Sequence, residues 1–221
     1  MWKYNKQSGF TLVELAIVLV IIGLLLGGVL KGQEMIENGK IKNLQNDVKG
    51  VTAAYYAYRD RYNALPGDDP KAAARWSASP AHMAVATSTG DGVVGTADGW
   101  NLCAATAATT ENCSFMQDLR LAGLITGAAT PADPINAYGG VIRVVQNTIT
   151  TAKYGAVVGL NLCFTNLPAK AAEAVDAGFD DGDPTVGNVR AAVDTTNHTP
   201  LAVFSGTAYT DPNTYTVCKL L

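Results

Sequence analysis

The chain has 221 residues, a formal net charge of −3, and 48% apolar against 16% charged residues. That length suits one domain plus an appendage, and the apolar share is enough for a packed core. Charge is unevenly placed: residues 1–63 carry eight Lys/Arg against five Asp/Glu, whereas residues 64–221 carry eight against fourteen, so the C-terminal part lacks the clustered cations that a nucleic-acid surface needs.

From Phe10 to Leu30 the only charge is Glu14. As a helix this run is long enough to span a hydrocarbon core of about 30 Å. It is longer than a secretory h-region, and "KGQEMIENG" follows it in place of an A-x-A-like cleavage site. Lys3 and Lys6 precede it, but Lys31, Lys40, Lys42 and Lys49 follow, so the positive-inside count leaves orientation open. Glu14 lies one turn inside the span, where an acid must snorkel to the interface or meet a cation. Gly23–Gly27 and Gly28–Gly32 are GxxxG spacings that permit close helix–helix approach. The same glycines each lower helix propensity by about 1 kcal/mol; the expectation for the single chain is still a continuous helix.

After Lys31 the pattern turns amphipathic. Ile41, Leu44, Val48, Val51, Tyr55, Tyr58 and Tyr62 recur at steps of three and four, an apolar stripe. Pro66 and Gly67 in "LPG" stop it. At 1.5 Å per residue, a helix from Phe10 to Asn63 is about 80 Å long. Such a rod cannot bury its own stripe, so a head domain and neighbouring copies must cover it. Tyr55, Tyr56, Tyr58 and Tyr62 could suggest an electron path but read as packing on this stripe.

Beyond residue 64 the chain reads as short helices, loops and late strands. Asp69 and Pro70 open a short helix in "PKAAARW". Ser114 and Gln117 form an S-x-x-Q capping box opening "FMQDLRLAG", with Gly123 as the residue past its C-cap. Candidate strands are 141–146, 149–153, 156–163, 201–205 and 214–220, and their connections favour an antiparallel sheet. "LPAKAAEAVDAG", residues 167–178, reads as a helix with Pro168 at its start, and "DDGDPTVGNVRA" as a turn-rich loop centred on residues 181–187.

Four cysteines, Cys103, Cys113, Cys163 and Cys218, form no C-x-x-C, and the histidines number two, which argues against zinc. An even count beside a membrane segment points to two disulfides, an oxidising compartment and a head outside the cytoplasm. Three pairings are open; Cys103–Cys113 with Cys163–Cys218 is the simplest. Asp68/Asp69, Asp91/Asp98 and Asp180/Asp181/Asp183 are acidic clusters, but none has the EF-hand spacing, and Asp-Gly turns explain them equally well. No G-x-S-x-G, Walker loop or histidine-centred pair suggests catalysis. Two glycosylation-like sequons, at Asn112 and Asn197, read as chance.

"KQSGFTLVEL" resembles the prepilin signature shared by type IV pilins and type II secretion pseudopilins. The resemblance implies cleavage after Gly9 by a prepilin peptidase, N-methylation of Phe10, and pairing of the new Phe10 amine with Glu14 of a neighbouring copy. "YNALPGD", "TGDGVVG", "DLRLAGLI" and "DDGDPTVGNVRA" look like segments of one subgroup of such proteins. Many members carry a proline in the glycine stretch of the span; this chain has none. Some pseudopilins hold calcium in a head loop, which makes Asp91, Asp98, Asp180, Asp181 and Asp183 weak candidate ligands; no other cofactor is expected.

The expected fold is α+β, a pilin fold: a long N-terminal spine helix packed on a C-terminal antiparallel sheet. The expected divisions are a leader at 1–9, a membrane or filament-core helix at 10–30, its amphipathic continuation at 31–63, and a disulfide-stapled head at 64–221. The resemblance implies a non-enzymatic subunit of a homo-oligomeric helical filament. It waits in the bacterial inner membrane with its head in the periplasm, and is handled by the peptidase/methyltransferase, an assembly platform and minor pilins. The alternatives are a secretion pseudopilin, or a minor pilin for adhesion or DNA uptake; the acidic head speaks against nucleic acid.

Overall fold

The apolar span and the amphipathic stripe form one uninterrupted helix, α1 (Leu12–Tyr62), in the computed structural model of the chain. The structure describes residues 11–77, 88–95, 103, 110–147, 158–194 and 208–221. Residues 1–40 and 41–221 form separate compact units.

In the first unit the side chains from Leu12 to Leu30 are exposed, and α1 is long and apolar enough here to cross a membrane. The four GxxxG glycines stay helical, and a Cβ built on any of them would meet nothing within 4 Å. No described residue of this chain uses the space they leave.

The second unit begins where α1 becomes amphipathic. Ile41, Leu44, Val48, Val51, Ala54, Tyr55 and Tyr58 are buried, so the stripe is the helix's core face. Tyr62 packs at its edge. Among the described residues three further helices follow: α2 (Ala72–Arg75), α3 (Glu111–Leu121) and α4 (Ala169–Phe179). Four strands, β1 (Ile142–Asn147), β2 (Gly159–Pro168), β3 (Val189–Val193) and β4 (Thr214–Leu220), form an antiparallel sheet in the order β1-β2-β4-β3. The fold is α+β, as expected.

The sheet follows strand periodicity, which sends alternate residues to opposite faces. Ile142, Val144, Leu162, Phe164, Val189, Ala191, Tyr215 and Val217 join the core with Leu44, Val48, Tyr58, Phe115, Leu119 and Val175. On the opposite parity Val145, Cys163 and Cys218 make a second buried cluster. Cys163 and Cys218 are directly opposed in the β2–β4 register and form a disulfide. Cys103–Cys113 is the other, holding Cys103 to the first turn of α3.

Several local expectations shift. β4 has its expected bounds, and β1 lies one residue later than expected. β2 starts later and continues through Leu167 and Pro168, both of which the helix reading had claimed; α4 begins at Ala169. The segment expected to be only turn leads into a strand, β3. The strand candidates 149–153 and 201–205 lie outside the described residues.

The S-x-x-Q reading of α3 is wrong. The helix starts earlier, at Glu111, with Thr110 as an extended N-cap whose hydroxyl faces Cys113 Sγ and makes no capping bond. Ser114 is therefore interior and buried, its hydroxyl without a partner among the described residues, and Gln117 donates to the Ala129 carbonyl. The C-terminal expectation holds. Gly123 has φ 71°, its N–H donates to the Arg120 carbonyl, and the Leu124 N–H donates to the Leu119 carbonyl at 2.9 Å, which is a Schellman cap.

Candidate functional sites: the N-terminal segment and the acidic junction

Glu14 lies in the first turn of α1. Its Oε2 accepts the N–H and the hydroxyl of Thr11, each at 2.8 Å, while the Glu14 N–H donates to Thr11 Oγ1 at 3.3 Å. This is a capping box on T-x-x-E, each side chain serving the other's backbone at a helix start. Within one chain the acid thus closes the helix N-terminus, where the macrodipole also favours a negative charge. Its carboxylate stays exposed. Gly9 and Phe10 lie outside the described residues.

In the second unit, four acids gather where α1 ends. The backbone turns through Asn63 (φ 50°) and Gly67 (φ 86°), and Asp68, Asp69, Glu111 and Asp118 are all buried. Asp68 accepts the Gly90 N–H at 2.6 Å on one oxygen and the Gly92 N–H at 2.7 Å on the other. Glu111 accepts from the Gly95 N–H at 2.8 Å and the Thr89 N–H at 3.3 Å. The glycine-rich loop 88–95 is therefore held by its backbone. Asp118 reaches from α3 to accept the Gly67 N–H at 2.7 Å. Asp69 accepts from the Tyr58 hydroxyl at 2.9 Å, Arg75 Nη1 at 2.6 Å and the Lys71 N–H at 2.9 Å.

These environments split the acids. Burial pushes Asp69 up, but the bonds from Arg75, Lys71 and Tyr58 outweigh it and hold it below the usual carboxylate value. Burial dominates at Asp118, with the Asp69 charge adding to it, and pushes it up to about 7 against the Gly67 N–H and the more distant Arg75. Burial and the charges of Asp118 and Asp69 push the Tyr58 hydroxyl up. Beside this junction opens a cleft of about 890 Å³, lined in part by Tyr56, Arg59, Asp69, Lys71, Gly90 and Gly92.

A buried ion pair lies on β1. Arg143 Nε donates to Asp133 Oδ2 at 3.1 Å, and Nη2 approaches the same oxygen. The Cys103 N–H also donates to it, at 3.3 Å. The Cys103–Cys113 disulfide thus fixes an amide donor beside the pair. Burial still raises Asp133, despite Arg143.

Of the candidate calcium ligands, Asp180 and Asp181 come together, joined by Asp176 of α4; one ligand atom from each lies within 4.8 Å of the others. Asp180 accepts the N–H groups of Asn188 and Val189, which set the start of β3. Asp176 accepts the Tyr209 hydroxyl at 2.7 Å and the Gly182 N–H at 3.3 Å. Asp181 accepts the Asp183 N–H, and Asp183 turns to Thr185. Asp91 closes its own turn on the Val93 N–H, and Asp98 lies outside the described residues.

Residues 4–30 match the model of the prokaryotic N-terminal methylation motif. The chain carries the signature of type IV pilins and pseudopilins. No curated protein and no solved structure gives a match. The signature covers Gly9, Phe10, Glu14, Gly23, Gly27 and Gly28, and stops before Gly32. With an apolar helix at its N-terminus, the chain fits a membrane-anchored prepilin-type precursor.

The signature says nothing of the head. Asp118, Glu111, Asp133 and Asp176, which sequence reasoning missed, anchor loops there. A faint signal existed at α3: Glu111, Phe115 and Asp118 fall at helical spacing on one face. T-x-x-E at Thr11–Glu14 was likewise a legible capping signature.

Proposed function

We propose that this chain is a structural subunit of a pilus-like filament, made as a precursor that is cut after Gly9 and methylated on Phe10. The observation that carries the reading is the methylation motif over residues 4–30, continuous with a helix whose apolar half is exposed. The apolar segment anchors the precursor in the inner membrane, with the disulfide-bonded head in the periplasm. After cleavage the same segment packs against other copies in the filament core. The free faces of Gly23, Gly27, Gly28 and Gly32 suit close approach of a second helix.

Glu14 has two successive roles in this scheme. Alone, it caps its own helix through Thr11. On assembly it lies one turn from the Phe10 amine that cleavage creates, and meets that amine on a neighbour. Charge pairing in low dielectric penalises misregister strongly, so the pair sets axial stagger. The chain's contribution is assembly, not catalysis.

Replacing Gly9 by a bulky residue should leave an uncleaved precursor in the membrane, read by intact mass; normal processing would overturn the cleavage site. Glu14→Ala should be cleaved but should not polymerise; normal filaments from it would sink the charge-pair role. The chain should dominate sheared surface filaments. A trace amount there would refute its role as a major pilus subunit and point to a pseudopilin or minor pilin.

A further inference from the structure

The acids at the end of α1 are unusual in their balance. Four buried carboxylates, Asp68, Asp69, Glu111 and Asp118, converge from the junction turn and α3, and among the described residues the cation bonded to them is Arg75, on Asp69. The remaining three are met mainly by backbone N–H groups, at Gly67, Thr89, Gly90, Gly92 and Gly95. An amide donor stabilises a carboxylate but brings no counter-charge.

Asp118 is the acid in this group with the least compensation. Its described bond is a single N–H, that of Gly67. The ionisable groups facing it are Asp69 from the junction turn, Arg75 from α2 and Tyr58 from α1. The closer influence is Asp69, a like charge, while Arg75 is spent on Asp69. Asp68 and Glu111 complete the acidic cluster, and loop 88–95 contributes amides, with its own Asp91 exposed. Residue 67 must be glycine for this contact to form, because its φ is 86° and a Cβ there would collide with the Glu111 carbonyl oxygen.

We propose that the Asp118–Gly67 contact is a proton-operated latch: a neutral Asp118 draws the end of α1 tight onto α3, and its ionisation loosens that junction and the loop seated on it. The sign follows from linkage. The folded group binds its proton up to about pH 7, whereas an exposed aspartate releases it near pH 4. The latch is therefore tightest below about pH 4 and weakens as pH rises towards 7. Above that, both closed and open forms are ionised and no further change follows. Asp69 responds in the opposite sense, since its value is lowered: its contribution is lost only as the medium becomes acid.

The test uses the full chain in detergent micelles, with hydrogen exchange read at the Gly67 amide from pH 5 to 8 and corrected for intrinsic exchange. In the wild type, Gly67 protection should fall by about tenfold per pH unit at full linkage up to 7, then level off. Asp118→Asn keeps an acceptor for Gly67 but cannot ionise, so its protection should be flat. A pH-independent wild type, or the same fall in Asp118→Asn, would overturn the latch. If that variant does not fold, the carboxyl carbon shift of Asp118 in the wild type decides. A midpoint near 7 supports the latch, and one at or below about 4.5 refutes it.

Discussion

Tyr58 shows how much one side chain can connect. Its ring is fully buried on the α1 stripe and lies 4.6 Å, centroid to centroid, from Tyr62. Its hydroxyl donates to Asp69, which also holds Arg75, and the Arg75 guanidinium lies 4.0 Å from the Tyr62 ring centroid. Tyr58→Phe keeps the ring and removes the donor. We expect a loss of about 1 kcal/mol in urea unfolding, the usual worth of one buried hydrogen bond; an unchanged midpoint would show that Arg75 and the Lys71 N–H satisfy Asp69 unaided. The stripe containing Tyr58 was legible, because helical spacing alone specifies which residues share a face. The burial of Asp69 was not. It depends on Arg75 six residues on and on Tyr58 eleven residues back, and no local pattern encodes that convergence.

The elements divide in the same way. The end of α3 could be read because Gly123 supplies a backbone conformation that few other residues adopt cheaply. Its start could not, because S-x-x-Q is also compatible with a helix interior, and the first turn is held by contacts distant in sequence: Glu111 on the Gly95 N–H and Cys113 in the disulfide with Cys103. β3 went unseen for a related reason. "VRAAV" has weak strand propensity and becomes a strand through pairing with β4 and through Asp180, which grips the N–H groups at its start. Two glycines make a contrast at this scale. A Cβ at Gly123 meets nothing, so Gly123→Ala should cost about 1 kcal/mol from conformation alone. Gly67→Ala adds collision with the Glu111 carbonyl and should cost clearly more. Equal losses in denaturant titrations would contradict that ranking. Around α4, Asp176, Asp180 and Asp181 already accept protein N–H or O–H groups. Calcium added to the full chain should give neither heat nor a melting shift, and either signal would make the cluster a cation site.

For the whole molecule, the two disulfides differ in reach. Cys103–Cys113 spans 10 residues and Cys163–Cys218 spans 55. Loop-closure entropy then assigns roughly 3 kcal/mol to the first and about 4 kcal/mol to the second. Replacing each pair by alanines should reproduce that order in unfolding midpoints. The reverse order would mean that the Asp133–Arg143 pair beside Cys103 outweighs loop length. The α+β class, the long helix and the two-disulfide framework were all readable, since each rests on periodicity or on counting. Which acids would be buried was decided by the three-dimensional arrangement.

The grip on loop 88–95 has a consequence for tolerance to change. Asp68 and Glu111 hold the loop by its amides, which every residue but proline possesses, and not by its side chains. Asp91 and Val93 are exposed, whereas Val94 is buried and Gly90, Gly92 and Gly95 have positive φ. Asp91 also closes the turn through its side chain, so position 93 is where the chain can alter the side chain it displays while the frame behind it stays fixed, and a lineage can vary that exposed point without rebuilding the fold beneath.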